Sequence, residues 1–241
     1  MTTEQVKGVM KTIPTAEAQP GHEDLTLRID GRQPLSAEVV AAVGAICDSA
    51  EDRAGQARII VQVSGVPQTS WANELTVSLV SKWERALRRL ERLPATTIAV
   101  ADGDCGGLAL DVLLATDYRI ATGSVRLVVP VESGATWPGM ALYRLAGYGA
   151  NAAAIRRAVL YGTPVEAADA LALQLVDELT DEVPRALSLA AERAGAISGT
   201  ELAIRRQLMS DASVTSFEDA LGVHLAACDR ALRRATTEVD A

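Results

Sequence analysis

The segment from residue 93 to residue 121, LPATTIAVADGDCGGLALDVLLATDYRIA, constrains the fold more than any other part of the chain. It starts with small and β-branched apolar residues at 95–100, which predict a buried strand. A glycine-rich turn leads at once into an apolar helix at 107–115 with one internal acid, Asp111. Another strand-like run follows at 117–121. This succession predicts an α/β core.

The preceding part of the chain shows the same alternation of strand and helix. Alternating or β-branched residues predict strands at 25–29 and 58–63, and Ser36 is placed to cap the helix between them. An apolar stripe at helical spacing predicts a further helix at 75–90, which Pro94 ends. We interpret its opposite, charged face as solvated. Its members are Arg85, Arg88, Arg89, Glu91 and Arg92.

Beyond Pro138-Gly139 the pattern becomes helical. Thr163-Pro164-Val165-Glu166 has the form of a capping box with proline at the first helical position, so we predict a helix start there. We therefore divide the chain into a flexible leader at 1–22, a core at 23–198 and a C-terminal helical oligomerisation region at 199–241.

The last predicted helix, at 216–234, has an apolar stripe. Its members are Phe217, Leu221, Leu225, Cys228 and Leu232. One small domain would not leave so much apolar surface uncovered, so the stripe predicts an oligomer built through the C-terminal helices.

Composition excludes several classes of function. The chain has 241 residues and a net charge of −8, which disfavours binding to nucleic acid or anionic membranes. We find neither a signal-peptide core nor an apolar run long enough to cross a bilayer, and we expect a soluble cytoplasmic protein. Three widely spaced cysteines and two histidines argue against disulfides and transition-metal sites, so we expect no metal. The chemistry then has to come from carboxylates, hydroxyls or backbone amides.

The turn before Asp111 has two interpretations. The free N–H groups of a helix N-terminus can hold a developing negative charge, and glycines let a ligand approach the backbone. Alternatively, Gly103, Gly106 and Gly107 only form a tight turn between strand and helix. The residues alone favour neither interpretation.

The same segment resembles the signature of the enoyl-CoA hydratase/isomerase (crotonase) superfamily. That signature is a strand, an N-G-x-x-x-G-G-G turn, a helix with an early Glu, and a C-D-x-R-I-A strand. Here Asp102-Gly103 takes the place of Asn-Gly, and TDYRIA at 116–121 matches the strand without a gap. Further matches follow at 129–139, 160–164 and 167–178. The resemblance covers about residues 24–235 and implies a crotonase-like ββα superhelix core with a helical C-terminal region.

The resemblance also implies site residues. In that family two backbone N–H groups form an oxyanion hole for a thioester enolate, and the matching positions are Leu108 and Ser70. Leu108 and Trp71 replace glycines of the family pattern, so we expect a narrower or reshaped pocket. The first family Glu falls on Asp111, the expected general base, whose pKa burial should raise and the helix N-terminus should lower.

The second family Glu falls on Val131, which cannot transfer a proton. Glu132 is the adjacent candidate for a secondary acid, although neighbouring residues on a strand point to opposite faces. Loss of the second acid disfavours hydration between two carboxylates, whereas a single base working with an oxyanion hole remains feasible.

Among members of the superfamily, the chain most resembles the short hydratase-like accessory enzymes of dihydroxyphenylacetyl-CoA (dihydroxyphenylglycine) biosynthesis in antibiotic-producing actinobacteria. This implies an acyl-CoA substrate, no cofactor beyond the substrate's coenzyme A, and dehydration with aromatisation of a polyketide-derived thioester. It also implies a homo-oligomer, trimer or hexamer, and association with other pathway enzymes. Two alternatives stay open: an ordinary enoyl-CoA hydratase or isomerase, and a non-catalytic partner of another crotonase or of a polyketide synthase.

Overall fold

A computed structural model gives the structure of the protein. It describes residues 23–53, 56–68, 71–72, 75–149, 152–194 and 199–239. The strands are β1 (Glu23–Asp30), β2 (Ala57–Gly65), β3 (Thr96–Gly106), β4 (Tyr118–Ala121), β5 (Arg126–Val128), β6 (Val131–Glu132), β7 (Ala135–Thr136), β8 (Val165–Glu166) and β9 (Glu178–Leu179). The helices are α1 (Ala37–Asp52), α2 (Val77–Leu90), α3 (Leu108–Leu114), α4 (Met140–Gly149), α5 (Ala153–Tyr161), α6 (Ala167–Ala172), α7 (Val183–Ala194), α8 (Gly199–Asp211) and α9 (Phe217–Val239).

The main sheet runs in the order β1-β2-β3-β4-β9, with every pair along this path parallel. The long strand β3 changes partner along its length. Its first half pairs with β2 and β4, and its last three residues pair in parallel with β5. β8 adds to β5 in antiparallel orientation, and β6 and β7 form a separate hairpin. The end of β3 therefore pairs with β5 just before the turn into α3.

Close backbone contact joins the ends of three parallel strands. Gly31 N donates to Ser64 O at 2.7 Å, and a Cβ placed on Gly31 would lie 2.5 Å from Gly106 O. A side chain at position 31 would therefore force the strand ends apart. This contact brings the segments after β1, β2 and β3 together at one corner of the fold.

The predicted cap of α1 is confirmed, whereas α2, predicted from residue 75, begins two residues later at Val77. Ser36 Oγ accepts from Val39 N at 3.4 Å, and Thr76 Oγ1 accepts from Leu79 N at 3.1 Å. These hydroxyls satisfy N–H groups that the first helical turn leaves without partners.

The predicted helix start at Thr163-Pro164-Val165-Glu166 is wrong. Val165 and Glu166 form β8, and α6 begins at Ala167 without a side-chain cap. Val165 is buried and pairs with Leu127 of β5, so sheet pairing and burial override the local helix signal. Pro164 is compatible with this arrangement, because a proline directly before a short edge strand removes no ladder hydrogen bond.

Two cores cover the two faces of the sheet. The larger one packs α1, α2 and α3 against one face, with Trp83, Leu87 and Leu90 buried from α2. The smaller one packs α7 against Ile60, Ile98 and neighbouring residues on the other face.

The C-terminal helices lie outside both cores. α8 has no buried residue, although Arg206 anchors it by donating to Leu93 O and pairing with Asp117 at 2.6 Å. α9 is joined to α8 through Glu201, which pairs with Arg234 at 2.7 Å. Across the described residues, no helix combines the length and apolar character needed to cross a membrane.

Candidate active site

The turn between β3 and α3 needs glycine at its last position. Gly107 has φ of +53°, and a Cβ there would lie 3.1 Å from Pro67 Cγ. Positive φ and close approach both exclude larger residues. The turn starts α3 at Leu108, so the N–H of Leu108 is among the first helical N–H groups, which have no acceptor within the helix.

Asp111 lies one turn into α3, where its own N–H bonds to Gly107 O at 2.9 Å. Its side chain meets α2: the indole Nε1 of the buried Trp83 donates to Asp111 Oδ2 at 3.0 Å. Among the described residues, Oδ1 of Asp111 has no hydrogen-bond partner. One carboxylate oxygen is thus fixed, and the other is available to a substrate.

Burial raises the pKa of Asp111 from its ordinary 3.8 to about 7. The negative charge of Glu84 also raises it, while the Trp83 hydrogen bond and the Arg144 charge lower it. Desolvation outweighs the other contributions, so the net shift of this pKa is upward. A carboxyl with this pKa is about half ionised at neutral pH, which suits a general base.

Asp111 and Leu108 both line a cavity of about 40 Å³. Its wall includes Trp71 and Trp137, whose rings meet edge to face with centroids 5.0 Å apart. Such a volume holds about three waters. Sites for small molecules are typically roughly 300–1,000 Å³, so a ligand of ordinary size fits here only if this wall moves.

A network of charged side chains borders the cavity. Glu84 lines it and pairs with Arg144 of α4 at 3.1 Å. Arg144 also pairs with Glu91 at 2.7 Å, and Glu91 with Arg88 at 2.9 Å. Arg144 is largely buried, with 10% of its side chain exposed. The charged face of α2 is therefore not simply solvated, because Glu84 and Glu91 bind it to α4.

The structure brings two of the predicted site residues together. Asp111 and Leu108 face one cavity, whereas Ser70 lies outside the described residues. Val131 and Glu132 form β6 and do not line the cavity, and Val131 is 52% exposed. The roles assigned to all of these residues from the resemblance stay predictions.

Three residues of this site were missed by the sequence reasoning. Trp83 is one of the residues in the apolar stripe that predicts the helix at 75–90, and the sequence assigns no role to Glu84 or Arg144. A buried tryptophan usually needs an acceptor for its N–H, and this was the one available signal. Glu84 and Arg144 are 60 residues apart in the chain, and no local sequence pattern predicts that they pair.

The described residues contain no group of three His, Cys, Asp or Glu side chains that could hold a metal ion. The carboxyls of Asp111 and Glu84, a helix N-terminus and aromatic side chains surround the cavity. This arrangement can move a proton close to a backbone site for negative charge.

Comparisons with known proteins identify the family. No family model matches the chain. A protein of Amycolatopsis orientalis named Enoyl-CoA-hydratase is 55% identical over 214 residues, which are 89% of this chain and 98% of that protein.

Solved structures agree in fold. An enoyl-CoA hydratase/isomerase from Marinobacter aquaeolei superposes with a TM-score of 0.73 at 16% identity, over 91% of this chain and 90% of that one. An enoyl-CoA hydratase from Polaromonas sp. JS666 superposes with a TM-score of 0.74 at 17% identity, over 90% and 91%. The predicted crotonase-like α/β fold with its helical C-terminal region is confirmed. The chain belongs to the enoyl-CoA hydratase/isomerase (crotonase) superfamily.

Proposed function

We propose that this protein is a lyase that dehydrates and aromatises a polyketide-derived acyl-CoA thioester through an enolate. The observation that supports it most is the buried carboxyl of Asp111, whose pKa of about 7 suits a base at neutral pH. It lies one turn from the N–H of Leu108, in the same cavity. A thioester enolate needs both a base and a site for negative charge.

In this proposal Asp111 Oδ1 removes the proton next to the thioester carbonyl. The backbone N–H groups of Leu108 and Ser70 hold the negative oxygen of the enolate. The enolate then expels a β-hydroxyl, and successive losses of water give an aromatic ring. Coenzyme A enters only as part of the substrate, and we place the reaction in the cytoplasm.

Asp111→Asn tests the proposed base. The substitution keeps size and polarity but removes the base, so the turnover rate should fall about a hundredfold or more. The measurement is the ultraviolet absorbance of the aromatic product from a cyclised polyketide CoA thioester. Asp169→Asn, which changes an exposed aspartate in the first turn of α6, is the matched control and should keep its rate. Retained turnover in Asp111→Asn would refute the role of Asp111.

Ordinary enoyl-CoA hydration or isomerisation is the second candidate, because the relative from Amycolatopsis orientalis carries the name Enoyl-CoA-hydratase. A third candidate is a non-catalytic partner of another crotonase or of a polyketide synthase. It is favoured by Val131, which replaces the second family acid and lies outside the cavity. Absence of turnover by the unaltered protein, together with enhanced turnover of a co-purified pathway enzyme, would select this third candidate.

A further inference from the structure

A second carboxyl faces the cavity that contains Asp111. Glu84 follows Trp83 on α2, and it lines the same space of about 40 Å³ as Asp111. Its Oε2 pairs with Arg144 at 3.1 Å, whereas Oε1 has no hydrogen-bond partner among the described residues. Both residues therefore line one cavity, and each has one carboxyl oxygen without a hydrogen-bond partner among the described residues.

The charges around this volume do not balance if every carboxyl is ionised. Asp111, Glu84 and Glu91 are three acids, and Arg144 is the one largely buried cation that contacts two of them. Arg88 adds a second cation, but it pairs with Glu91 at 2.9 Å and has 47% of its side chain exposed. Glu91 is therefore neutralised from two sides, and Asp111 and Glu84 are left with a deficit of positive charge. A proton held by one of them removes the deficit.

Burial acts on both acids in the same direction. It is the largest influence on Glu84, whose pKa is raised although the charge of Arg144 opposes the rise. The charge of Glu84 in turn raises the pKa of Asp111, so the protonation of Asp111 depends on that of Glu84.

Glu84 also connects the cavity with solvent. It lines an open cleft of about 520 Å³ that lies between α2, α4 and the end of α8. Asp111 does not line that cleft. Glu84 is therefore placed to exchange protons between this cleft and the cavity.

From this geometry we infer that Glu84 is the second carboxyl of the site and shares one proton with Asp111. Its role in turnover rests on the proposed dehydration. Asp111 takes the proton as the C–H bond breaks, and the electron pair forms the enolate. The enolate then forms a C=C bond while the C–O bond of the β-hydroxyl breaks. Glu84 reacts in the form in which it, and not Asp111, holds the shared proton, and it gives this proton to the departing oxygen, so water leaves. Asp111 then returns the substrate's proton to Glu84, and both carboxyls regain their starting states.

The shared proton can be tested on the free protein. Three tryptophans occur in the chain, and 5-fluorotryptophan labelling with ¹⁹F NMR follows each of them, with Trp83→Phe assigning the Trp83 signal. The Trp83 signal should titrate with a midpoint near pH 7, because its indole bonds to Asp111. Asp111→Asn should abolish this titration. Glu84→Gln should lower the midpoint by about one pH unit, because it removes the neighbouring negative charge.

Glu91→Gln is the matched control. Glu91 also lies on the α2 side of the network and pairs with Arg144, but it does not line the cavity with Asp111. If Glu84 acts on Asp111 directly, Glu91→Gln should leave the midpoint within about 0.3 pH unit. An unchanged midpoint in Glu84→Gln, or equal shifts in both variants, would overturn the inference whatever the substrate of the enzyme is.

Turnover gives the second readout. Glu84→Gln should lower kcat about a hundredfold with little change in KM, and Glu84→Asp should recover part of the loss because it keeps a carboxyl. Glu91→Gln should stay close to the unaltered protein. Equal losses in Glu84→Gln and Glu91→Gln would mean that Glu84 serves only to hold Arg144.

Discussion

The carboxyl of Asp111 makes the stability of the protein depend on pH. Its pKa is raised from 3.8 to about 7, so the folded protein binds this proton more tightly than the unfolded chain does. The stabilising contribution is fully present below pH 4 and is lost as pH rises through 7. Asp111→Asn removes the cost of the buried charge, so the Tm difference between variant and unaltered protein should grow between about pH 4 and pH 7 and then level off.

Differential scanning calorimetry at pH 4.5, 6 and 8 measures the Tm difference between Asp111→Asn and the unaltered protein. At pH 8, Asp111→Asn should melt about 4 °C or more above the unaltered protein. The exposed Asp169→Asn should show a constant difference close to zero. A Tm gain that is equal at all three pH values would show that Asp111 is not a buried acid in solution.

Single residues of the site differ in how far the sequence predicts them. Asp111 and Leu108 follow from one contiguous motif, because a turn and the helix after it fix their relative positions. Trp83, Glu84 and Arg144 reach the site from α2 and α4, and only the packing of these helices on α3 brings them there. Their identity as site residues depends on tertiary contacts that no local spacing encodes.

At the scale of elements, α9 is the one with most apolar surface left exposed. Phe217, Leu225 and Leu232 have 75%, 58% and 67% of their surface exposed, and Leu221 has 44%. α9 follows α8, which itself has no buried residue. We expect a trimer or hexamer that covers this stripe, with Leu225→Glu shifting sedimentation toward the monomer because it puts a charge into the interface.

Ala226→Glu is the control for this prediction, because it adds the same charge to an exposed position away from the stripe. It should sediment like the unaltered protein. A monomer at micromolar concentration for the unaltered protein would contradict an interface through α9.

The elements that were predicted correctly carry their boundary signals, such as a cap or a proline, in their own sequence. Ser36 caps α1, and Pro94 lies four residues beyond the end of α2, as their local signals indicate. The segment around Pro164 was mispredicted because it has the sequence pattern of a helix cap. Pairing with the buried strand β5 stabilises its backbone more than a helix start would. Local signals decide an element only where no distant strand competes for the same backbone.

For the whole molecule, the position of Val131 predicts weak hydration of crotonyl-CoA. The second carboxyl comes from Glu84 on α2 and not from the strand that contains Val131, so water is held differently, and the rate should be at least about a hundredfold below that of a dedicated hydratase. Loss of absorbance of the conjugated thioester measures it. Val131→Glu should not restore the rate, because residue 131 is half exposed and does not line the cavity. Rapid hydration by the unaltered protein would show that another acid, such as Glu84, activates water.

The edge-to-face contact of Trp71 with Trp137 shapes the cavity wall, and its opening and closing would be an equilibrium between two arrangements of the rings. If a thioester binds only to molecules in which these rings have separated, the measured Kd equals the intrinsic Kd divided by the fraction of open molecules. If one molecule in about a hundred is open, apparent affinity falls about a hundredfold. Anything that holds the rings apart, such as a neighbouring subunit or a pathway enzyme, would then strengthen substrate binding without touching the substrate.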